Sequence, residues 1–138
     1  MSGLGHQIAG VDTSPSLVAA ARELDPSMDV RLADAAALPL DDASADLAIA
    51  FMSLHDIDPM PAAMREIARV LEPGGQLCLA IIHSINLAGH FEANTADSHF
   101  VIRGDYLRAF NYSETVERDG LSMRFHSQNR PLQTYFVR

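Results

Sequence analysis

The chain has 138 residues, which is enough for one domain with a hydrophobic core. Its 48% apolar and 20% charged residues are typical of a folded globular protein and exclude an intrinsically disordered chain. Eighteen acidic residues outnumber ten basic ones, giving a formal net charge of −8. A nucleic-acid-binding domain needs a basic face, so we expect no nucleic-acid partner.

Cys78 is the single cysteine, which excludes an internal disulfide and a multi-cysteine zinc site and fits a reducing compartment. It falls within an apolar run, where we expect it to be buried. No stretch approaches the roughly 18 apolar residues of a membrane span. Residues Met1–Gln7 lack the basic and apolar regions of a secretory signal. The expected localisation is therefore cytoplasmic, with no membrane partner.

The first elements read as a strand, a helix and a strand. Gln7–Val11 is a short apolar run that ends at Asp12, and Thr13–Pro15 is a strong helix start because a hydroxyl able to cap precedes proline. Apolar residues then recur at helical spacing, at Leu17, Ala20, Ala21 and Leu24. Asp29–Ala33 alternates like a short strand and closes on Asp34.

The next elements repeat this order. Asp46–Met52 is a nearly unbroken apolar run, typical of a strand buried on both faces of a parallel sheet. A helix follows from Asp58–Pro61, and its expected buried stripe is Met64, Ile67, Ala68 and Leu71, with Arg65, Glu66 and Arg69 outside. Glu72–Gly75 ends this helix, and Gln76–His83 is another buried strand. This alternation predicts a three-layer α/β/α sandwich with a mostly parallel sheet.

Polar residues follow three of these strands, at Asp12, Asp34 and Ser53–Asp56. Ligands bind beyond the carboxyl ends of strands in such sheets. One carboxylate can accept hydrogen bonds from both ribose hydroxyls, and a second carboxylate one strand away suits an exocyclic amine. Asp12 and Asp34 therefore make a candidate adenosine clamp. The alternative is that each aspartate only caps its own turn.

Four segments resemble successive motifs of small-molecule class I S-adenosylmethionine-dependent methyltransferases with a methyltransferase type 11-like domain. They are Gly10–Pro15, Ala33–Ala35 with Leu38-Pro39, Asp46–Ala50 and Glu66–Gly75. The resemblance implies a Rossmann-like fold, S-adenosylmethionine as cofactor and a small-molecule methyl acceptor as partner.

The resemblance also implies roles for individual residues. Asp12 would bind the ribose hydroxyls, with Thr13 beside it, and Asp34 would bind the adenine amine. The backbone N–H of Ala35 would reach the adenine ring. The reactive end of the cofactor would lie against Phe51, Met52 and Ser53.

The later part of the chain implies a domain division. His126, Asn129–Leu132 and Tyr135 resemble a segment that some of these enzymes place before a helix ahead of the final strands. Residues 1–83 would then be a partial methyltransferase core, and the polar residues 84–130 a lid over the substrate region. Residues 131–138 would begin a truncated C-terminal element.

The glycine-rich cofactor loop of the family has no counterpart in this sequence. Gly5 lies only seven positions before Asp12, whereas a glycine loop precedes the ribose acid by roughly 20 residues. We therefore expect an incomplete sheet without its first strand, weak cofactor binding, and weak or no activity. The open sheet edge favours a homodimer.

His55 is the candidate catalytic base, since a histidine near a strand end can take a proton from an acceptor; a loop or substrate-lining role is the alternative. No metal is expected, because His90, His99 and His126 lack ligand spacing. Two other functions stay open. One is a non-catalytic truncated methyltransferase-like or interaction module. The other is a nicotinamide-dependent oxidoreductase, in which Asp12 would also bind ribose, although the glycine fingerprint is missing.

Overall fold

The computed structural model describes residues 5–118 and 121–136. Within these ranges the helices are α1 (Pro15–Leu24) and α2 (Met60–Val70), with short 3-10 turns at Leu54–Asp56, Ser84–Leu87 and Leu132–Tyr135. The strands are β1 (Ala9–Asp12), β2 (Asp29–Leu32), β3 (Ala45–Phe51), β4 (Leu71–Ala80), β5 (Gly89–Phe91), β6 (Phe100–Ile102), β7 (Phe110–Arg118) and β8 (Leu121–Asn129). The chain forms two compact units, one of residues up to 49 plus 59–78, the other of residues 50–58 plus those from 79 onward.

The first unit opens with a β-α-β segment. β1 and β2 pair in parallel, with Asp12 opposite Leu32. The helix between them begins as predicted, because Ser14 is its N-cap, accepts a hydrogen bond from the Leu17 backbone N–H at 3.4 Å, and precedes Pro15 in the first turn. The helix buries Val18, whereas Leu17 stays 52% exposed. A strand, a helix and a parallel strand are thus confirmed in the predicted order.

The buried face of α2 differs from the predicted one. The helix buries Met60, Ala63, Ile67 and Val70, so only Ile67 was predicted correctly among the four. Both sets of residues recur at intervals of three or four and differ by a rotation about the helix axis. The rotation turns Glu66 and Arg69, which were expected on the outer face, toward the loop of residues 38–42.

An arginine–carboxylate cluster fixes that loop to α2. Arg69 donates from Nε and Nη2 to the two carboxylate oxygens of Glu66, both at 2.8 Å, and from Nη1 to Asp42 Oδ1 at 2.7 Å. Its guanidinium also donates to the carbonyls of Leu38 and Leu40, at 3.0 and 2.9 Å. Glu66 in turn accepts from the Leu38 backbone N–H at 2.8 Å. Side-chain hydrogen bonds, rather than regular secondary structure, therefore support the loop of residues 38–42.

The prediction that β3 is buried on both faces is wrong for the described structure. Alternate residues of β3 stay exposed, namely Leu47 (41%), Ile49 (52%) and Phe51 (74%). Cys78 of β4 is exposed as well, against the expectation that it packs inside. β3 and β4 pair as a two-stranded sheet, and burial of both faces requires a covering layer on each side. Within residues 5–118 and 121–136, the face that carries these side chains has no such layer.

Two glycines between α2 and the body of β4 explain the turn there. Gly74 has φ of +91°, a conformation that residues with a Cβ rarely adopt. A Cβ on Gly75 would lie 3.0 Å from the Glu72 carbonyl oxygen and 3.2 Å from that of Asp46 in β3. The Pro73–Gly75 turn therefore lets β4 approach β3 closely.

The second unit is mainly antiparallel. β5 pairs with β6, and β7 pairs with β8 along their full lengths, from Phe110 opposite Asn129 to Arg118 opposite Leu121. Residues 84–130, in which the sequence showed no clear period, are thus built largely from two strand pairs. No helix in the part of the chain that the structure describes is long and apolar enough to cross a membrane. The homodimer stays a prediction.

The Glu66–Arg69 cluster predicts an acid-dependent loss of stability. Hydrogen bonds from Arg69 are the main cause that lowers the pKa of Glu66 from 4.5 to about 2. A carboxyl group with a depressed pKa stabilises the folded state fully above its unfolded-state pKa, and this contribution is lost as the pH falls toward about 2. We expect Glu66→Gln to lower the thermal unfolding midpoint at neutral pH and to flatten its decline between pH 4.5 and 2.

Thermal unfolding followed by circular dichroism across this pH range measures the effect. Glu23→Gln, on an exposed position of α1, is the matched control and should follow the parent chain. Equal pH profiles for Glu66→Gln and the parent would contradict the assigned role of the cluster.

Candidate functional site

The first unit places Asp12 and Asp34 at one edge of the β1–β2 pair. Asp12 is the last residue of β1, and Asp34 follows the end of β2 by two residues. The Ala33 backbone N–H donates to the Asp12 carbonyl at 3.0 Å and continues the pairing beyond β2. Because the strands are parallel, both carboxylates lie at carboxyl ends, where ligands bind in sheets of this kind.

Each aspartate also caps its own turn, so the two roles considered for these residues are compatible. Asp12 Oδ1 accepts from the Ser14 backbone N–H at 2.7 Å, and Asp34 Oδ1 accepts from that of Ala36 at 2.8 Å. In the described part of the chain, the hydrogen bonds of both carboxylates use only Oδ1. The second oxygen of each carboxylate remains for a ligand.

The donor and acceptor set at this edge fits a nucleoside. Two carboxylate oxygens suit hydroxyl and amine donors. Thr13 is exposed next to Asp12, and the Ala35 backbone N–H donates to no described residue, so it can serve a ring nitrogen. Among the described residues, no group of three His, Cys, Asp or Glu side chains could hold a metal ion. These hydrogen-bonding groups match the hydroxyls, amine and ring nitrogens that an adenosine moiety would present.

The second unit contains the residues expected at the cofactor's reactive end. Phe51 ends β3 and is 74% exposed, and Met52 follows with φ of +53°. The Met52 backbone N–H donates to the Ala80 carbonyl at 2.8 Å, which keeps this left-handed residue beside the end of β4. Ser53 then caps the 3-10 turn Leu54–Asp56 and is exposed. A left-handed residue other than glycine costs about 1–2 kcal/mol, so contacts elsewhere must stabilise this turn.

His55, the candidate base, lies inside this turn rather than on its surface. Its residue surface is 6% exposed, and its Nε2 lies 3.5 Å from Asp56 Oδ1. Its Nδ1 is buried and has no hydrogen-bond partner among the described residues. The structure therefore presents Asp56, not the His55 ring, on the exposed side of the turn, and the catalytic role of His55 stays a prediction.

Arg130 stabilises the whole turn from behind. Its guanidinium is buried, and Nη1 donates to the carbonyls of Leu54 and His55, both at 3.0 Å. Nη2 donates to the carbonyls of Ile57 and Asp58, at 2.6 and 3.4 Å. Only arginine carries a planar fork of donors that can bond several carbonyls at once. The sequence placed Arg130 in a family-like segment but gave no signal of this contact, which spans more than 70 positions.

A polar pocket of about 400 Å³ lies between this turn and the β7–β8 pair, within the second unit. Its lining includes Asp56, Asp58, Tyr112, Ser113, His126 and Gln128. Gln128 Nε2 donates to Asp58 Oδ1 at 2.5 Å, and Ser113 Oγ lies 2.9 Å from His126 Nδ1. Sequence analysis missed this pocket, because its residues come from two separated segments. The sequence of residues 84–130 shows no clear period, so it gave no signal of the strand pair that brings Ser113 opposite His126.

Comparison with known proteins gives a consistent result. The family described as "Methyltransferase domain" matches residues 1–79. A phthiotriol/phenolphthiotriol dimycocerosates methyltransferase of Mycobacterium leprae is 31% identical over 118 residues, 80% of this chain and 44% of that protein. An O-methyltransferase of Aspergillus sclerotiorum is 39% identical over 82 residues, 55% of this chain and 31% of that protein. The chain thus spans less than half the length of either relative.

Solved structures share the fold. A crystal structure of an S-adenosylmethionine-dependent methyltransferase from Mesorhizobium loti has a TM-score of 0.67 and 24% identity. The match covers 93% of this chain and 59% of that one. The predicted fold class is confirmed by this likeness.

The Arg130 contacts predict a large loss of stability when the guanidinium is removed. Arg130→Met leaves four backbone carbonyls of the turn without their donor, and an unsatisfied buried polar group costs about 1–3 kcal/mol. We expect the free energy of unfolding to fall by roughly 2 kcal/mol or more. Chemical denaturation measures this change.

Arg130→Lys separates charge from geometry, since lysine keeps the charge but cannot form the same fork. It should recover only part of the lost stability. Arg124→Met, at an exposed position of β8, the strand that Arg130 follows, is the control and should change the unfolding free energy by less than about 0.5 kcal/mol. Similar losses for Arg130→Met and Arg124→Met would disprove the role of the buried fork.

Proposed function

Because the chain belongs to the methyltransferase domain family, we propose that it acts as an S-adenosylmethionine-dependent methyltransferase on a small-molecule acceptor. One observation carries the proposal: Asp12 and Asp34 lie at the same edge of a parallel strand pair, each with one carboxylate oxygen left for a ligand. The name of the Mycobacterium leprae relative, a phthiotriol/phenolphthiotriol dimycocerosates methyltransferase, supports a small-molecule acceptor.

The first unit would bind the adenosine part of the cofactor. One carboxylate oxygen of Asp12 accepts hydrogen bonds from the ribose hydroxyls, while Oδ1 keeps its hydrogen bond from the Ser14 backbone N–H. Asp34 accepts from the adenine amine in the same manner, and the Ala35 N–H donates to a ring nitrogen. Thr13 contributes an exposed hydroxyl beside the ribose. A charged acceptor strengthens each of these hydrogen bonds relative to a neutral one.

The second unit would position the reacting groups. When bound, the cofactor supplies an electrophilic methyl group on a sulfonium, and its transfer depends mainly on alignment with the acceptor. Phe51, Met52 and Ser53 would orient that end of the cofactor. The turn that follows is held by Arg130, so its position is fixed before any ligand arrives. His55 is retained as a candidate base, acting beside Asp56.

We further propose a functional division along the chain, with residues 1–83 as the partial core and residues 84–130 as the lid and substrate region. Residues 131–138 would begin the next element of the fold. The polar pocket supports the middle assignment, since most of its lining comes from β7 and β8. Residues 137 and 138 lie outside the described residues.

A non-catalytic interaction module is the second candidate. The exposed apolar row of Leu47, Ile49 and Phe51 favours it, because such rows mark contact surfaces. The cofactor titration below separates the two, since an interaction module need not bind S-adenosylmethionine.

Isothermal titration with S-adenosylmethionine tests the adenosine site. Asp12→Asn keeps an oxygen that can cap Ser14 but removes the charge, and Asp34→Asn does the same for the turn at Ala36. Hydrogen bonds to charged groups contribute about 1.5–3 kcal/mol. We therefore expect each variant to weaken affinity by about tenfold or more.

Asp25→Asn is a matched control. Asp25 Oδ1 accepts from the Ser27 backbone N–H at 3.0 Å, the same type of turn, but the residue follows α1 at the other end of the strands. It should leave affinity unchanged. Equal affinity in Asp12→Asn, Asp34→Asn and the parent would refute the clamp, and no heat of binding for the parent would refute the enzyme proposal. The expected weak binding stays a prediction that the same titration measures.

A further inference from the structure

We propose that the polar pocket of the second unit binds a hydroxyl-bearing small molecule without negative charge, whose hydroxyl donates a hydrogen bond to His126. The identification of this molecule as the methyl acceptor rests on the proposed function. The pocket, of about 400 Å³, has room for a ligand the size of a small ring compound. Asp56 was noted only as one of the polar residues after the third strand, and the sequence assigned no site role to His126 or to the other lining residues.

The charges around the pocket select against anions. Asp56 and Asp58 both line it, and no lysine or arginine does. The nearest cation described at this turn, Arg130, is buried behind it and donates to backbone carbonyls. Asp58 is further fixed by Gln128, which occupies one of its carboxylate oxygens. A carboxylate or phosphate ligand would meet repulsion here, whereas a neutral hydroxyl compound would not.

The β7–β8 register positions the acceptor atom. Ser113 and His126 are direct partners across the strand pair, and Ser113 Oγ lies 2.9 Å from His126 Nδ1. Nδ1 is therefore engaged within the protein, which leaves Nε2 as the ring nitrogen for a ligand. To accept a ligand hydroxyl at Nε2, the neutral ring must carry its proton on Nδ1 and donate it to Ser113 Oγ. This tautomer is therefore part of the proposal, since a serine hydroxyl can also donate to the ring nitrogen.

The pocket adjoins the segment proposed for the reactive end of the cofactor. The Asp56 backbone N–H donates to the Ser53 carbonyl at 2.9 Å, so Ser53 and Asp56 belong to one turn. Asp56 lines the pocket directly. A hydroxyl bound at His126 would therefore lie in the same unit as Met52 and Ser53. Arg130 fixes the neighbouring turn that contains Asp56. We assign the pocket to the acceptor because Asp56 belongs both to this turn and to the pocket lining. The charges alone would not lead to this assignment.

Nuclear magnetic resonance of the full chain, isotope-labelled and without cofactor, tests the inference. Ring ¹⁵N shifts should show the Nδ1–H tautomer at His126, with the Nε2–H tautomer gained in Ser113→Ala. Benzyl alcohol and benzoate, similar in shape but different in charge, are then titrated. We expect benzyl alcohol to shift the His126 ring and Gln128 side-chain signals, and benzoate to bind at least about tenfold more weakly.

Variants identify the residues responsible. His126→Gln should abolish the benzyl alcohol response at Gln128, whereas His99→Gln, a change at an exposed histidine away from the pocket, should not. Asp56→Asn should narrow the difference between the affinities for benzyl alcohol and for benzoate. Unchanged signals from β5 and β6 confirm that each variant folds.

Equal binding of benzoate and benzyl alcohol, an Nε2–H tautomer in the parent, or no response at the pocket would overturn the inference. Titration of S-adenosylmethionine into the same samples keeps the two proposals distinct. Cofactor binding without a pocket response would refute only the acceptor site. A pocket response without cofactor binding would refute the proposed function and leave a hydroxyl-binding site.

Discussion

The Arg130 guanidinium supports the turn of residues 54–58 through four backbone carbonyls that are far from it in the chain. A turn has few internal hydrogen bonds, so its carbonyls must find donors elsewhere or remain in water. Arg130, directly after β8, supplies these donors and so fixes the position of the connecting segment. The buried His55 and the pocket-lining Asp56 both belong to that turn. The proposed reactive end of the site is therefore formed by two segments of the second unit that are distant from each other in the chain.

The proposed adenosine site of the first unit depends more on local sequence, because each of its two carboxylates forms a hydrogen bond within its own turn. Asp12 and Asp34 close neighbouring parallel strands, and each uses one oxygen to turn the chain away from the strand. Each of these side chains thus combines turn formation with the proposed ligand binding. The Glu66–Arg69 cluster plays the supporting part here, since it fixes the loop that follows Asp34 to α2.

Local features were the ones predictable from sequence. The Ser14–Pro15 helix start and the strand end at Asp12 depend on neighbouring residues, and short-range signals encode them. The second strand ends at Leu32, one residue before the predicted Ala33. Burial was harder to predict: an apolar run such as β3 shows that a strand forms, but not whether a layer covers each face. The Arg130 fork and the Ser113–His126 pair could not be found, because their partners are distant in sequence. Long-range contacts are set by tertiary packing, which the pattern of one segment does not contain.

The left-handed conformation of Met52 has a consequence for how this region tolerates substitution. Glycine would relax the backbone there, yet it would also widen the range of shapes that the segment samples when it unfolds or opens. Methionine limits that range and adds a flexible, polarizable side chain at the rim of the site. Methionine at this position therefore costs backbone strain but restricts the conformations of the segment. Such an exchange is sustainable only where other contacts hold the strained shape, and here the hydrogen bond from the Met52 backbone N–H to the Ala80 carbonyl does so.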